Sequence, residues 1–465
     1  MNNHNNGTQK LGEGLSNRQI MMISIGGVIG AGLFIGSSAA IAKAGPAVII
    51  SYALTSLLVF LVMRMLGEMA VLQPDTGSFS TYATRAIGPW AGFTIGWLYW
   101  WFWVLVIPVE AIAGAEILHT WFPSVPGWFY AFALVVLLTI SNLFNVKSFG
   151  EFEFWFSLIK VIAIIIFIVI ASLAVFGFWP LANVSGVGNL FSHGGFMPNG
   201  LGGVLGGILI TAFSFFGVEI LSIAAAEAKN PQEKIRKATN MVIYRIVLFY
   251  VLSIFLAVSL VNWNSTGFKE MGTFQYVLMT LNVPYTKLIM DAVVFVAVAS
   301  CLNAALYTSS RMLFSLGTRQ DAPQAVTRIS KSSVPQVAVV GSSIVGIGGC
   351  IANYLYPGQV LTFLLSTTGA IALLVYLVIA VSQLRLRKDL EKQGVKIDFK
   401  MWCFPWLTWI VIFIILAVLG YMFISPDYSY ETSLSLSVTF IVLFFSVVVS
   451  YRKKHAIRRS RVYER

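Results

Sequence analysis

The chain has 465 residues, 57% of them hydrophobic and only 11% charged, against about 25% charged in ordinary soluble domains. That excludes a soluble enzyme, because long segments would have nothing to bury against in water. A formal net charge of +12 in so apolar a chain asks first for an account from membrane topology, and only then for nucleic acid.

The first 19 residues are polar and Asn-rich. They lack the apolar core of a cleavable signal peptide and are expected to form a cytoplasmic tail. Apolar runs then predict an all-α polytopic membrane protein of twelve transmembrane helices. These lie at about 20–42, 46–72, 90–118, 126–145, 154–177, 200–226, 241–261, 287–314, 335–356, 359–384, 404–425 and 431–451. Twelve spans of about 20 residues need roughly 240 residues, which the hydrophobic content supplies. The expected organisation is one five-helix unit at 20–177, a second at 200–384, a further pair at 404–451 and a basic cytoplasmic tail at 452–465.

These spans sort the basic residues. If the N-terminus is inside, one side collects every Lys and Arg of the chain except Lys43, Lys269 and Lys287. Such asymmetry places both termini in the cytoplasm and explains the positive charge without nucleic acid. The run Arg452-Lys453-Lys454 also suits anionic lipid.

The first span reads Gly26-Gly27-Val28-Ile29-Gly30-Ala31-Gly32-Leu33-Phe34-Ile35-Gly36. Each glycine costs a helix about 1 kcal/mol against alanine. Either this is a small-residue packing face, or the helix unwinds and its free N–H groups bind a carboxylate. The sixth span carries Ser214-Phe215-Phe216-Gly217-Val218-Glu219. A glycine beside an acid inside a membrane run suggests a second break. Discontinuous helices one and six, five spans apart, fit a LeuT-like 5+5 inverted repeat, because an odd number of spans turns the second unit over.

Gly27 to Phe34 resembles the first-helix signature of the amino acid–polyamine–organocation transporters, specifically the bacterial amino acid permeases. Arg64 to Ala70 with Pro74 to Tyr82, and Phe213 to Glu219 continuing to Glu227, resemble further signatures of that family. Gly96 to Pro108, Gly150 to Trp155, Ser300 to Thr308 and Gly369 to Leu384 are similar to its 4-aminobutyrate branch. The likeness covers roughly residues 14–410; Phe216 and Val218 are bulkier than the Met and Ala of that branch. The resemblance implies a multi-pass protein of the bacterial inner membrane that imports a small zwitterionic amino acid, 4-aminobutyrate first, with a proton. Proline, lysine, β-alanine or an aromatic amino acid is the alternative cargo.

Charges inside a membrane ask for a reason. Glu219 either caps the half-helix below the break or, as the resemblance implies, binds substrate amine or proton. Glu110, after Pro108 in the third span, either pairs with a polar neighbour or holds a distal amine. Trp100, Trp101 and Trp103 read as packing or interfacial belt. Lys160, some 10 Å into the fifth helix, either snorkels to the inner surface or, as the resemblance implies, takes the place of a sodium ion against helices one and eight, sharing that site with Ser300 and Asn303. Arg64 with Glu68, and Lys287 with Asp291, read as i,i+4 ion pairs. Cys301 reads as a small packed residue on a candidate substrate-facing strip.

The expected substrate contacts are therefore Gly27, Val28, Ile29, Gly30, Ala31, Gly32, Glu110, Phe213, Phe216, Gly217, Glu219 and Cys301. The expected proton-coupling residues are Lys160, Glu219, Ser300 and Asn303. The charges are too few and scattered for a channel lining. Cys301, Cys350 and Cys403 form no metal spacing or disulfide framework. His4, His119, His193 and His455 lie in tails or at span ends, so no nucleophile–base cluster is expected. With no nucleotide-binding loop, ATP is not the expected energy source; the resemblance implies a proton gradient instead, and no cofactor is expected.

Overall fold

A computed structural model describes residues 16, 18, 19, 22, 29–34, 36–144, 146–226, 230–356 and 369–463. Among these the secondary structure is helical throughout, with no strand. Ten helices are long and apolar enough to cross a membrane. One of these, Gly32–Leu72, runs 41 residues, which is twice the length a single crossing needs. It turns back at Gly45–Ala47, where Gly45 takes a φ of +63° that suits a residue without a side chain. That stretch therefore supplies spans one and two. The sixth span arrives in two pieces too short to be counted alone, and the total is the twelve expected.

In chain order, the first span is described as α1 (Ala31–Phe34) and α2 (Gly36–Ala44), with residues 20, 21 and 23–28 of its expected start outside the described residues, and the second is α3 (Val48–Leu72). A short α4 (Ser78–Ala86) precedes α5 (Pro89–Trp121), α6 (Gly127–Phe144) and α7 (Val146–Val175). The sixth span is α8 (Gly200–Phe215) and α9 (Ile220–Ala226). The seventh begins ten residues before its apolar run, as α10 (Pro231–Ile246), and passes through a π-turn at Val247–Leu252 into α11 (Ser253–Leu260). The early turns of α10 are polar and carry a Glu233–Lys237 ion pair at 2.6 Å, so hydropathy alone does not find them.

Two short helices, α12 (Gly267–Met271) and α13 (Thr273–Thr280), fill the connection to α14 (Thr286–Thr318). Then come α15 (Gln336–Leu355), α16 (Gly369–Lys392), α17 (Trp406–Ile424) and α18 (Ser429–Tyr463). The start of the expected tenth span, 359–368, lies outside the described residues. The last helix does not stop at 451: its backbone stays helical through the basic segment to Tyr463.

At the centre α14 packs along α5 and α7, and both described pieces of helix one, α1 and α2, pack on α8. α1 comes close to α8 because Gly32 has no side chain. A Cβ there would stand 3.0 Å from the Ser214 Cα, and Ser214 Oγ donates to the Gly32 carbonyl at 2.9 Å. Helices one and six thus meet at their small residues, as in an inverted-repeat bundle. Phe274 of α13 packs edge-on against Phe34 and Phe167. Ser37 Oγ donates to Thr273 Oγ1 at 2.8 Å, so the α12–α13 segment packs on helix one at the junction of α1 and α2. Pro108 sits inside α5, against Gly349 of α15.

Candidate substrate and coupling site

Helix six is interrupted where the sequence places a glycine beside an acid. Phe216 to Glu219 form a turn between α8 and α9, and Gly217 has φ +110°, which L side chains rarely adopt. The Glu219 side chain folds back so that both its oxygens accept from the Gly217 N–H, at 3.2 and 3.0 Å. Tyr99 of α5 donates to Glu219 Oε1 at 2.9 Å, and Ser222 Oγ donates to the Glu219 carbonyl at 2.8 Å. Ser222 is in turn bonded to Ser78 at the start of α4. Glu219 is fully buried. These bonds satisfy backbone groups that the break releases.

Phe216 faces a set of rings: Tyr99, Phe102, Trp103 and Tyr376 all lie within 6.2 Å of it, centroid to centroid. Trp103 is buried and lies against Gly217, so it belongs to the break and not to an interfacial belt. The Trp103 indole nitrogen and the Tyr376 hydroxyl have no hydrogen-bond partner among the described residues.

Among the described residues Arg18, Gln19 and Met22 are helical, Ile29 and Gly30 are not, and α1 begins at Ala31. Gly27 and Val28 lie outside the described residues, as do the side chains of Ala31 and Phe213. Ile29 is fully buried in the apolar core. Gly30 faces α14: a Cβ on it would stand 3.6 Å from Cys301 Sγ, an ordinary contact. The Cys301 thiol in turn lies within reach of the carboxyl of Glu110 on α5. Glu110 is buried, and its Oε2 has no partner among the described residues. Gly30, Cys301 and Glu110 therefore form one continuous line across helices one, eight and three. Gly32 serves the packing reading instead, through Ser214.

Lys160 does not snorkel. Its side chain is fully buried, and its Nζ donates to Ser300 Oγ on α14 at 2.8 Å. Ser300 Oγ donates onward to Glu153 Oε1 at 2.6 Å, and Ser157 Oγ reaches the same oxygen at 3.3 Å. Asn303 is held separately, its Oδ1 accepting from Asn142 Nδ2 at 2.9 Å. The expected bridge from Lys160 to helix one falls largely on residues outside the described set.

One ion-pair expectation is corrected. Glu68 pairs with Arg387, at 3.2 Å, and also accepts from Gln383 and the Met401 N–H. Arg64 instead donates to the Lys400 carbonyl and Asn240, with its guanidinium over Phe399 and Trp402. At the opposite end Lys43 pairs with Asp427 at 2.6 Å, and Lys287 lies within electrostatic reach of Asp291. Glu153 and Tyr99 escaped the sequence reading. An acid near the end of an apolar run reads as a surface residue, and a tyrosine among tryptophans reads as packing.

The Amino acid permease family model matches residues 19–463. The chain belongs to the amino acid permease family. A probable GABA permease of Pseudomonas aeruginosa is 56% identical to the permease over 444 residues, which is 95% of this chain and 94% of that one. The gamma-aminobutyric acid permease of Escherichia coli K12 is 56% identical over 91% of each chain. Among solved structures, a manganese transporter of Eremococcus coleocola superposes with a TM-score of 0.59 over 95% of this chain and 94% of its own. At 14% identity it shares only the LeuT-like fold with the permease. The permease is thus a multi-pass membrane protein that transports amino acids. Among its described residues no group of three His, Cys, Asp or Glu stands where it would hold a metal ion.

Proposed function

We propose that the permease imports 4-aminobutyrate across the bacterial inner membrane together with a proton, with both termini in the cytoplasm. The observation that carries the substrate reading is the line from Gly30 through Cys301 to the unpartnered oxygen of Glu110. Amides at the broken end of helix one suit a carboxylate, and a buried acid on helix three suits an amine set well away from it. An ω-amino acid carries its two charges three methylenes apart and spans such a line, whereas an α-amino acid joins both charges to one carbon. The rings around Phe216 add a face for the amine or the methylenes. The names of the relatives support the same cargo.

Lys160 supports the proton. A buried ammonium held by Ser300 replaces a metal ion as the charge that ties helix five to helix eight, and it can release its proton without leaving the site. The near-complete sorting of basic residues to one side supports the orientation. No step calls for ATP, a cofactor or nucleic acid, and the remaining contacts are with lipid.

Competition uptake in proteoliposomes tests the cargo, with 4-aminobutyrate, β-alanine, proline, lysine and phenylalanine offered against labelled 4-aminobutyrate. The reading expects 4-aminobutyrate to compete best and β-alanine next. Stronger competition by proline, lysine or phenylalanine overturns it.

A further inference from the structure

The hydrogen-bond chain between helices five and eight ends on an acid that the proposed coupling step has not used. We propose that Glu153 is the inner acceptor of the coupled proton, receiving it from Lys160 through the Ser300 hydroxyl. This rests on the proton-coupled reading above. Glu153 lies seven residues before Lys160 on α7, two turns away on the same face and about 10 Å along the axis. Ser300, arriving from α14, bridges that distance. Lys160 Nζ donates to Ser300 Oγ at 2.8 Å, and Ser300 Oγ donates to Glu153 Oε1 at 2.6 Å. All three residues are fully buried.

The donor order already matches a relay. An N–H bond of the ammonium breaks as its proton passes to Ser300 Oγ. The serine's own proton forms an O–H bond on Glu153. A charged Lys160 and Glu153 become a neutral amine and carboxylic acid, with serine unchanged. Net charge is the same before and after, so the step adds no unpaired charge to an apolar interior.

Glu153 Oε2 has no partner among the described residues. A buried carboxylate oxygen without a donor is costly and asks for a use, and a half-turn of the carboxylic acid carries the proton received at Oε1 to that unpartnered side for release. Glu110 and Cys301 also lie within electrostatic reach of Lys160, and Ser157 touches Glu153 from its own helix. One turn before Glu153, Phe149 stacks on Tyr307 at 3.9 Å, with the Arg311 guanidinium 4.0 Å from the Tyr307 ring. That stack separates Glu153 from the end of the helix the basic residues mark as cytoplasmic, so release waits for helices five and eight to part there.

Proteoliposomes loaded with wild type, Glu153→Gln, Glu153→Asp and Ser300→Ala provide the test. Two rates are compared: exchange of labelled for unlabelled 4-aminobutyrate, and net accumulation under an imposed pH gradient and potential. Glu153→Gln is expected to lose net accumulation at least tenfold more than exchange, with a flattened pH profile, and Glu153→Asp to restore part of that profile. Equal losses of both rates, or a wild-type ratio and pH profile, overturn the relay. Should Glu153→Gln not yield folded protein, Glu153→Asp and Ser300→Ala decide. A displaced pH profile in both supports the relay, and a wild-type profile in either overturns it. Wild-type uptake that ignores both pH gradient and potential instead overturns the proton-coupled reading itself.

Discussion

Glu219 holds the Gly217 amide with both oxygens of its carboxylate, two residues along the same chain. The bond fixes the shape of the break in helix six, because Gly217 sits at a φ that only this local closure makes useful. Tyr99 fastens the same carboxylate to helix three, and Ser222 fastens its carbonyl to α9 and, through Ser78, to α4. A charge at this point therefore controls geometry as well as any proton or amine it meets.

Glu219→Gln keeps the volume and one acceptor but weakens two charge-assisted bonds, worth about 1.5–3 kcal/mol each. The expected result is a fall in transport rate of about tenfold or more, with folded protein still recovered. Tracer uptake normalised to inserted protein, measured from pH 5 to 8, checks it. Wild-type rates throughout would leave Glu219 as a simple cap.

The glycines of the two breaks should respond differently. Gly217→Ala puts a side chain at φ +110° and should cost about 1–3 kcal/mol, seen as a lower Tm and lost uptake. Gly32→Ala pushes a Cβ to 3.0 Å from the Ser214 backbone and should destabilise by about 1–3 kcal/mol. Gly30→Ala meets only Cys301 at 3.6 Å, so the fold should survive with KM raised. Gly30→Val should abolish uptake in folded protein. If Gly30→Val transports with normal KM, no carboxylate approaches that backbone.

Lys160→Met should retain substrate binding while losing accumulation. One charge moved through 100 mV is worth about 2.3 kcal/mol, or about a 50-fold gradient at equilibrium. The variant's internal concentration should therefore fall to the external level. A binding assay beside uptake under an imposed potential separates the two effects, and unchanged accumulation would make Lys160 a structural tether.

At the other network, Arg387→Met strands the buried carboxylate of Glu68, a loss of about 3–5 kcal/mol. Glu68→Gln combined with Arg387→Met should cost less than the sum of the single changes, because each removes the other's unpaired charge. Thermal melts of the three variants in detergent measure the coupling. Strict additivity would show that Gln383 and the Met401 amide alone satisfy Glu68.

The sequence makes the spans legible because an apolar run of membrane length has few other uses. It also exposes the sixth-helix break, since a glycine next to an acid is so poor a membrane helix. The partners of the buried charges are much harder to see. Arg64 stands four residues before Glu68, yet the cation that Glu68 meets is 319 residues further on, and helical spacing contains no trace of it. Glu153 was hidden for a related reason: its meaning lies in Ser300, which comes from another helix. The α12–α13 helices and the early turns of α10 were missed because they are amphipathic or polar, and hydropathy detects only membrane-length apolar runs.

Pro108 gives helix three an additional role. Proline has no N–H, so the Val104 carbonyl, next to Trp103, lacks its usual donor within the helix, and Pro108 itself stands two residues before Glu110. Gly346 and Gly349 of α15 leave no room for a Cβ against Ile107 and Pro108. Helix nine therefore bears on α5 as a fulcrum bears on a lever, at the turn where the ladder lacks a bond. The angle at which Glu110 and Trp103 are presented is set from outside the site, by a helix that holds neither residue. Added bulk at Gly349 would tilt the lever and re-aim both side chains at once.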